Sequence, residues 1–134
     1  MTNKYVIDFR DDLIVKGPCA IVAYARRKNG KRPAKDFIEN LEKSDQAKLA
    51  KSFRYIANGI SHNIERFRKL GGKSGKIYEF KIYPKVRVLC FQLGRTWLLT
   101  HGFNKETGDT PPRQIRRAED IMNEYNSLLN NKKK

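Results

Sequence analysis

Polar and apolar positions alternate in the middle of the chain. In IYEFKI, Tyr78, Phe80 and Ile82 alternate with Glu79 and Lys81, which predicts a strand with one apolar and one charged face. Tyr83-Pro84-Lys85 breaks that run. In VRVLCFQ, Val86, Val88 and Cys90 then oppose Arg87, Leu89 and Phe91. Leu93-Gly94 turns the chain into a third run, RTWLLTHGF. Connections this short predict antiparallel neighbours, because a parallel pair needs a long crossover.

The flanking segments read as helices and a further strand. Residues 19–24 (CAIVAY) form a short apolar run after Gly17-Pro18, the pattern of a buried strand. Residues 5–9 (YVIDF) fit either a short strand or a docked arm. Pro33 suits a first helical turn, with Phe37, Ile38 and Leu41 behind it at helical spacing. Ser44 or Asp45 then caps a lysine-rich helix striped by Leu49, Phe53 and Ile56, and Asn58-Gly59 stops it. Residues 33–60 thus predict a helical hairpin. Ile60, Ile64, Phe67 and Leu70 are apolar anchors leading into a glycine-lysine loop. A last helix follows Thr110 as cap, with Pro111 and Pro112 in its first turn and Ile115, Ala118, Met122 and Tyr125 as its buried stripe. The order strand, two helices, three strands, helix predicts an α+β fold: a small, mostly antiparallel sheet with an N-terminal helical hairpin and a C-terminal helix. In this reading helices cover the apolar side of the sheet and the opposite side carries polar chemistry. The whole chain, 1–134, reads as one domain, with 1–16 as an N-terminal extension and 130–134 as a flexible basic tail.

Charge sharpens the functional picture. The chain has 29 Lys and Arg against 14 Asp and Glu, a formal net charge of +15. Such a surface attracts polyanions: nucleic acid, an acidic membrane surface or an acidic protein. No apolar run approaches the roughly 20 residues of a membrane span, and the charged N-terminus lacks a signal-peptide pattern, so a cytoplasmic location is expected. Cys19 and Cys90 lie in apolar segments with no CxxC, which predicts buried free thiols and argues against zinc. GGKSGK lacks the spacing of a phosphate-binding loop and precedes a strand, which excludes nucleotide hydrolysis of that type. No cofactor and no metal are expected.

Taken in order, these motifs resemble the RelE/ParE toxin superfamily, and more closely its HigB-like, phage-related branch. That branch shows a lysine-leucine element, an LYELR-like strand, a YRVFY-like strand and an LLHGF-like strand. A lysine-rich turn, a TP helix start and a spaced I, A and Y follow. Here these are Lys69-Leu70, Ile77 to Ile82, Val86 to Phe91, Leu98 to Phe103, Asn104 to Thr107, Thr110-Pro111, Ile115, Ala118 and Tyr125. The match covers the C-terminal half specifically; the N-terminal half agrees in its strand–helix–helix pattern. The resemblance implies the toxin of a type II toxin–antitoxin system: a metal-independent, ribosome-dependent mRNA endoribonuclease that arrests translation. Its implied partners are messenger RNA, the ribosome and a cognate antitoxin of helix-turn-helix type, with no membrane. The related ParE branch poisons DNA gyrase without catalysis, and a basic nucleic-acid-binding module that has lost catalysis is a third reading.

Metal-free RNA cleavage needs a base for the 2′-hydroxyl, cations at the crowded phosphate and an acid for the leaving oxygen. His101, at a strand end, is the acid–base candidate, because an ordinary imidazole titrates near neutrality. Its alternative role is a packed sheet-edge histidine. Lys81 stands where the branch usually has arginine and is a candidate for holding the scissile phosphate; the change keeps the charge and loses the bidentate fork. Arg87 either contacts phosphate or braces the sheet through an internal ion pair with Glu79. Lys105 suits phosphate contact, although Glu106 follows it where the family turn has a second lysine. Arg66, Arg68, Lys69, Lys73 and Lys76 form an expected basic approach for the RNA backbone, each alone reading as a solvated charge. Tyr83 reads as a stacking or proton-relay group, or as a turn residue supporting Pro84.

Overall fold

A computed structural model describes residues 9–60, 66–106 and 108–132. A single helical turn, α1 (Phe9–Asp12), leads into β1 (Leu13–Lys16) and β2 (Ile21–Tyr24). Two helices follow, α2 (Pro33–Glu39) and α3 (Lys43–Ala57). The chain then enters β3 (Phe67–Gly71), β4 (Ile77–Ile82), β5 (Val86–Leu93) and β6 (Thr96–Asn104), and ends in α4 (Pro112–Lys132). The expected strand or arm at 5–9 falls mainly outside the described residues, as does Ile64.

The fold is α+β, around a six-stranded sheet ordered β1-β2-β6-β5-β4-β3. The β3-β4-β5-β6 meander is antiparallel, as its short turns require. The β2–β6 pair is parallel, with Val22 opposite Trp97 and Tyr24 opposite Leu99. The long excursion through α2, α3 and the meander supplies the crossover that a parallel pair needs. Strands β1 and β3, four and five residues long, are additions to the predicted sheet; both are edge strands with charged positions.

The two predicted helices are present, but not as an N-terminal hairpin. They follow α1, β1 and β2; α2 lies against β6 and α3 against β1, β2 and β4. A side-chain bond ties them, since Gln46 Nε2 donates to the Ile38 carbonyl at 2.8 Å. Pro33 opens α2 as expected. Helix α3 begins one residue before Ser44, with Glu42 at its N-cap and no side-chain capping bond, so neither Ser44 nor Asp45 caps it. Gly59, at φ +73°, ends it.

Helices cover both faces of the sheet, which corrects the expectation of one open polar side. Val22, Leu49, Phe53, Phe80, Val88 and Leu99 build the core under α2 and α3. Ala23, Ile77, Leu89, Phe91, Leu98, Ala118, Ile121, Met122 and Tyr125 build a second core under α4. Phe53 meets Phe80 edge-on at 5.0 Å in the first, and Phe91 meets Tyr125 at 5.9 Å in the second. Cys90 is buried as predicted, whereas Cys19 is exposed. Helix α4 continues through Lys132, so the expected tail from 130 is helical over its described part.

A β-bulge sets which face each β6 residue serves. Leu89 pairs with His101 and Cys90 pairs with Leu99, leaving Thr100 as the extra residue. Without the bulge, strict alternation from Leu98 would send His101 to the α2–α3 side. With it, His101 shares the α4 face with Leu89, and Gly102 faces α2.

Candidate nucleic-acid interface

Strand register places a row of polar side chains beyond the apolar core under α4. Lys81 pairs directly with Arg87, and Arg87 with Phe103. On the other side of Lys81, its backbone N–H donates to the Arg66 carbonyl at 2.8 Å, so Arg66 adjoins the row. The β4–β5 turn brings Tyr83 and Lys85 to the same end of the sheet. Lys105 is held there too, its backbone N–H donating to the Lys85 carbonyl at 2.7 Å. Arg66, Lys81, Lys85 and Lys105 therefore surround one turn, and among the described residues none of these four side chains is in an ion pair. Among them stands Tyr83, 50% exposed, with Lys81 Nζ 5.7 Å from its ring centroid.

Arg87 lies beneath this group rather than in it. The residue is 2% exposed, and its guanidinium donates to the Val86 carbonyl at 2.9 Å and reaches the Pro84 carbonyl at 3.4 Å. It also lies 5.6 Å from the Tyr83 ring centroid. Burial pulls its pKa below the ordinary guanidinium value, and the negative field of Glu79 opposes that shift. Its partners are thus carbonyls of the turn, and among the described residues it forms no ion pair with Glu79.

A second row runs behind the first. Glu79 pairs with Arg68 and with Leu89, and Leu89 pairs with His101. Glu79 is fully buried (0% exposed); it accepts from Arg68 Nε at 3.4 Å and from the Thr110 hydroxyl. Thr110 gives its hydroxyl proton to Glu79, and because α4 starts at Pro112 it stands one position before the cap instead of capping the helix as expected. The contact ties Thr110, just ahead of α4, to the sheet.

His101 is 1% exposed, between Thr100 Oγ1 at 3.2 Å and Gln114 Oε1 at 2.9 Å. Burial lowers its pKa to about 4; the Gln114 bond opposes the shift, and the positive charges of Arg117 and Arg27 add to it. The ring is neutral at pH 7, and its nitrogens point at protein groups.

The expected basic approach does not form one surface. Arg66 belongs to the turn group, while Arg68 is tied to Glu79. Lys69 pairs with Tyr78, whose side chain serves the opposite face. Lys73 lines a shallow groove with Ser74, Arg116, Glu119, Asp120 and Asn123, and Lys76 is exposed nearby. Reading the sequence alone missed Lys85 and Gln114, and it gave Thr110 the role of a helix cap instead of a partner for Glu79. For Lys85 the signal was present: a lysine just after Pro84, in a turn flanked by Lys81 and Arg87. Thr110 and Gln114 carried none, because their partners are 31 and 13 residues away.

Among the described residues, no three His, Cys, Asp or Glu side chains stand together as a metal-ligand set, and no helix is long and apolar enough to cross a membrane. No curated protein matches the chain. A family model does, over residues 36–123, a span from α2 to α4 that contains both polar rows. That model describes the phage-derived Gp49-like proteins (DUF891), and the chain belongs to this family, which lies within the RelE/ParE-like toxin superfamily.

Proposed function

We propose that the chain is the toxin of a toxin–antitoxin pair, of the HigB-like kind, and that it cleaves messenger RNA on the ribosome. The observation that carries this reading is the group Arg66, Lys81, Lys85 and Lys105 around the half-exposed Tyr83. Four cations without ion-pair partners in the described fold form a receptor for phosphate, and a neighbouring phenol adds a proton donor.

In the proposed reaction the 2′-oxygen loses its proton to water and bonds to phosphorus, and the bond to the 5′-oxygen breaks. Lys81, Lys85 and Lys105 stabilise the charge that builds on the phosphoryl oxygens. Tyr83 hands a proton to the leaving 5′-oxygen. Products are a 2′,3′-cyclic phosphate and a 5′-hydroxyl. Arg87 shapes the turn from below, and His101, buried and neutral, anchors α4 instead of exchanging protons with RNA. No step passes through a metal or cofactor.

One observation favours a second reading. His101 is the one histidine among the described residues, and its burial removes the side chain best suited to proton transfer at neutral pH. A non-enzymatic toxin that binds gyrase needs no such group. Purified protein incubated with translating ribosomes, followed by mapping of new 5′ ends, separates the two when DNA supercoiling is measured in parallel. Cut messages that become intact with a Lys81→Ala, Lys85→Ala double variant are the expected result. Intact messages with inhibited supercoiling would overturn it in favour of gyrase.

A further inference from the structure

Helix α3 carries a second cationic surface, on the other side of the sheet from the β4–β5 turn group. Its inward arc is fixed by Leu49, Ser52, Phe53 and Ala57, all buried. The opposite arc presents Lys43, Lys48, Lys51 and Arg54, all exposed, and none of them is in an ion pair among the described residues. Acidic residues are absent from that arc. Asp45 sits four residues before Leu49 and seven before Ser52, so it projects from the inward-facing side. Tyr55 adds the single exposed large aromatic of this helix, with Lys51 Nζ 5.6 Å from its ring centroid.

The two surfaces belong to opposite faces of the sheet. Helix α3 packs on the face that holds Phe80 and Val88, whereas Lys81 and Arg87 belong to the alternate positions of the same strands. Four cations along one helix face, with no carboxylate among them, repel one another, and a bound polyanion would relieve that repulsion.

We infer that the outer face of α3 binds the phosphate backbone of double-stranded RNA. The cations run about 16 Å along a rigid rod, at 1.5 Å per residue, and a duplex presents phosphates in fixed rows that such a rod can match. A flexible single strand is held chiefly by stacking platforms, which this face lacks apart from Tyr55. An amphipathic protein segment needs an apolar groove, and the arc offers none. This inference goes beyond the proposed cleavage reading: it gives the chain a hold on structured RNA that is separate from the strand it would cut.

The test uses the full chain and an RNA duplex of about 20 bp, a length on the scale of known duplex-binding modules. Binding is measured against salt concentration for the wild type, for K48A/K51A/R54A and for K81A/K85A, with helix content checked by circular dichroism. Loss of three phosphate contacts is expected to lower the slope of log K against log salt by about 2 to 3. Affinity at low salt is expected to fall at least about 10-fold, and by more than in the turn variant. Wild-type slope and affinity in the α3 variant would overturn the inference, and so would loss of duplex binding in the turn variant alone. An α3 variant that keeps duplex binding but no longer binds poly-glutamate would overturn it in favour of an acidic protein partner. Cleavage is scored separately: a protein that fails to cut yet loses duplex binding on α3 substitution upholds this inference while refuting the cleavage reading.

Discussion

His101 Nε2 meets Gln114 Oε1 at 2.9 Å, joining the bulged strand β6 to the first turn of α4. Since the ring is neutral at pH 7 and the amide oxygen can only accept, Nε2 carries the proton and donates it. Nδ1 is then an acceptor facing the Thr100 hydroxyl, which also lies 3.1 Å from the Leu89 carbonyl. A hydroxyl has one proton, so Thr100 serves one of these acceptors at a time.

This arrangement makes stability depend on acid. The folded ring has a pKa of about 4 against an ordinary 6.5, so between these values the unfolded chain binds a proton that the folded chain excludes. The contribution is fully present above pH 6.5 and is lost as pH falls towards 4, by up to about 3 kcal/mol. Urea unfolding at pH 7 and pH 4.5 is expected to show that loss in the wild type and a smaller one in His101→Gln, which cannot titrate. Equal losses in the two proteins would mean that His101 is not the responsible group.

Glu79 offers a second handle on the same region. Replacing a buried carboxylate that accepts from Arg68 and Thr110 by an amide removes the charge and turns one of the two acceptor oxygens into a donor, so one of the two bonds is lost. Glu79→Gln is expected to cost about 2 kcal/mol and Thr110→Val about 1 kcal/mol. The double variant should cost less than the sum, because the two share one bond. Strict additivity in denaturant melts would show that the Thr110 contact carries no energy.

The alternation of Tyr78, Phe80 and Ile82 made β4 legible, and the pairings of β5 and β6 followed from turn length. The fate of the other face was not legible. Glu79 and Lys81 look equivalent by period, yet Glu79 is fully buried and Lys81 half-exposed, because α4 and Thr110 cover one and stop short of the other. Nor does a single sequence reveal the bulge at Thr100, which decides that His101 points under α4. Lys81 and Lys105 stood out by their charge and by the family resemblance, and both lie at the partly exposed end of the sheet. His101 also stood out by type, but its ring is closed in by Gln114, 13 residues further on; Arg87 is held by carbonyls of its own turn, whose closed shape emerged only with the fold.

Gly102 tests how tightly α2 seats on that strand. A Cβ placed there would lie 2.1 Å from Phe37 Cδ2, so the ring occupies the space a side chain would need. Gly102→Ala is expected to destabilise by about 2 kcal/mol through overpacking. In a Phe37→Leu background the additional cost of the alanine should fall below about 1 kcal/mol, because the smaller side chain can yield. An unchanged cost in that background would locate the strain in the backbone of β6 instead.

Lys81 separates charge from geometry in the proposed reaction. It is half-exposed, and its ammonium lies 5.7 Å from the Tyr83 ring centroid, so Lys81→Ala should leave stability within about 0.5 kcal/mol of wild type. If its charge stabilises the phosphoryl oxygens in the transition state, kcat/KM for message cleavage falls at least about 100-fold. Lys81→Arg restores the charge and adds a second donor, so it should recover activity to within about 10-fold of wild type. Rescue by arginine with continued failure of Lys81→Gln would fix electrostatic stabilisation as the role. If arginine fails as completely as alanine, charge alone is insufficient and the ammonium acts through its position or its proton.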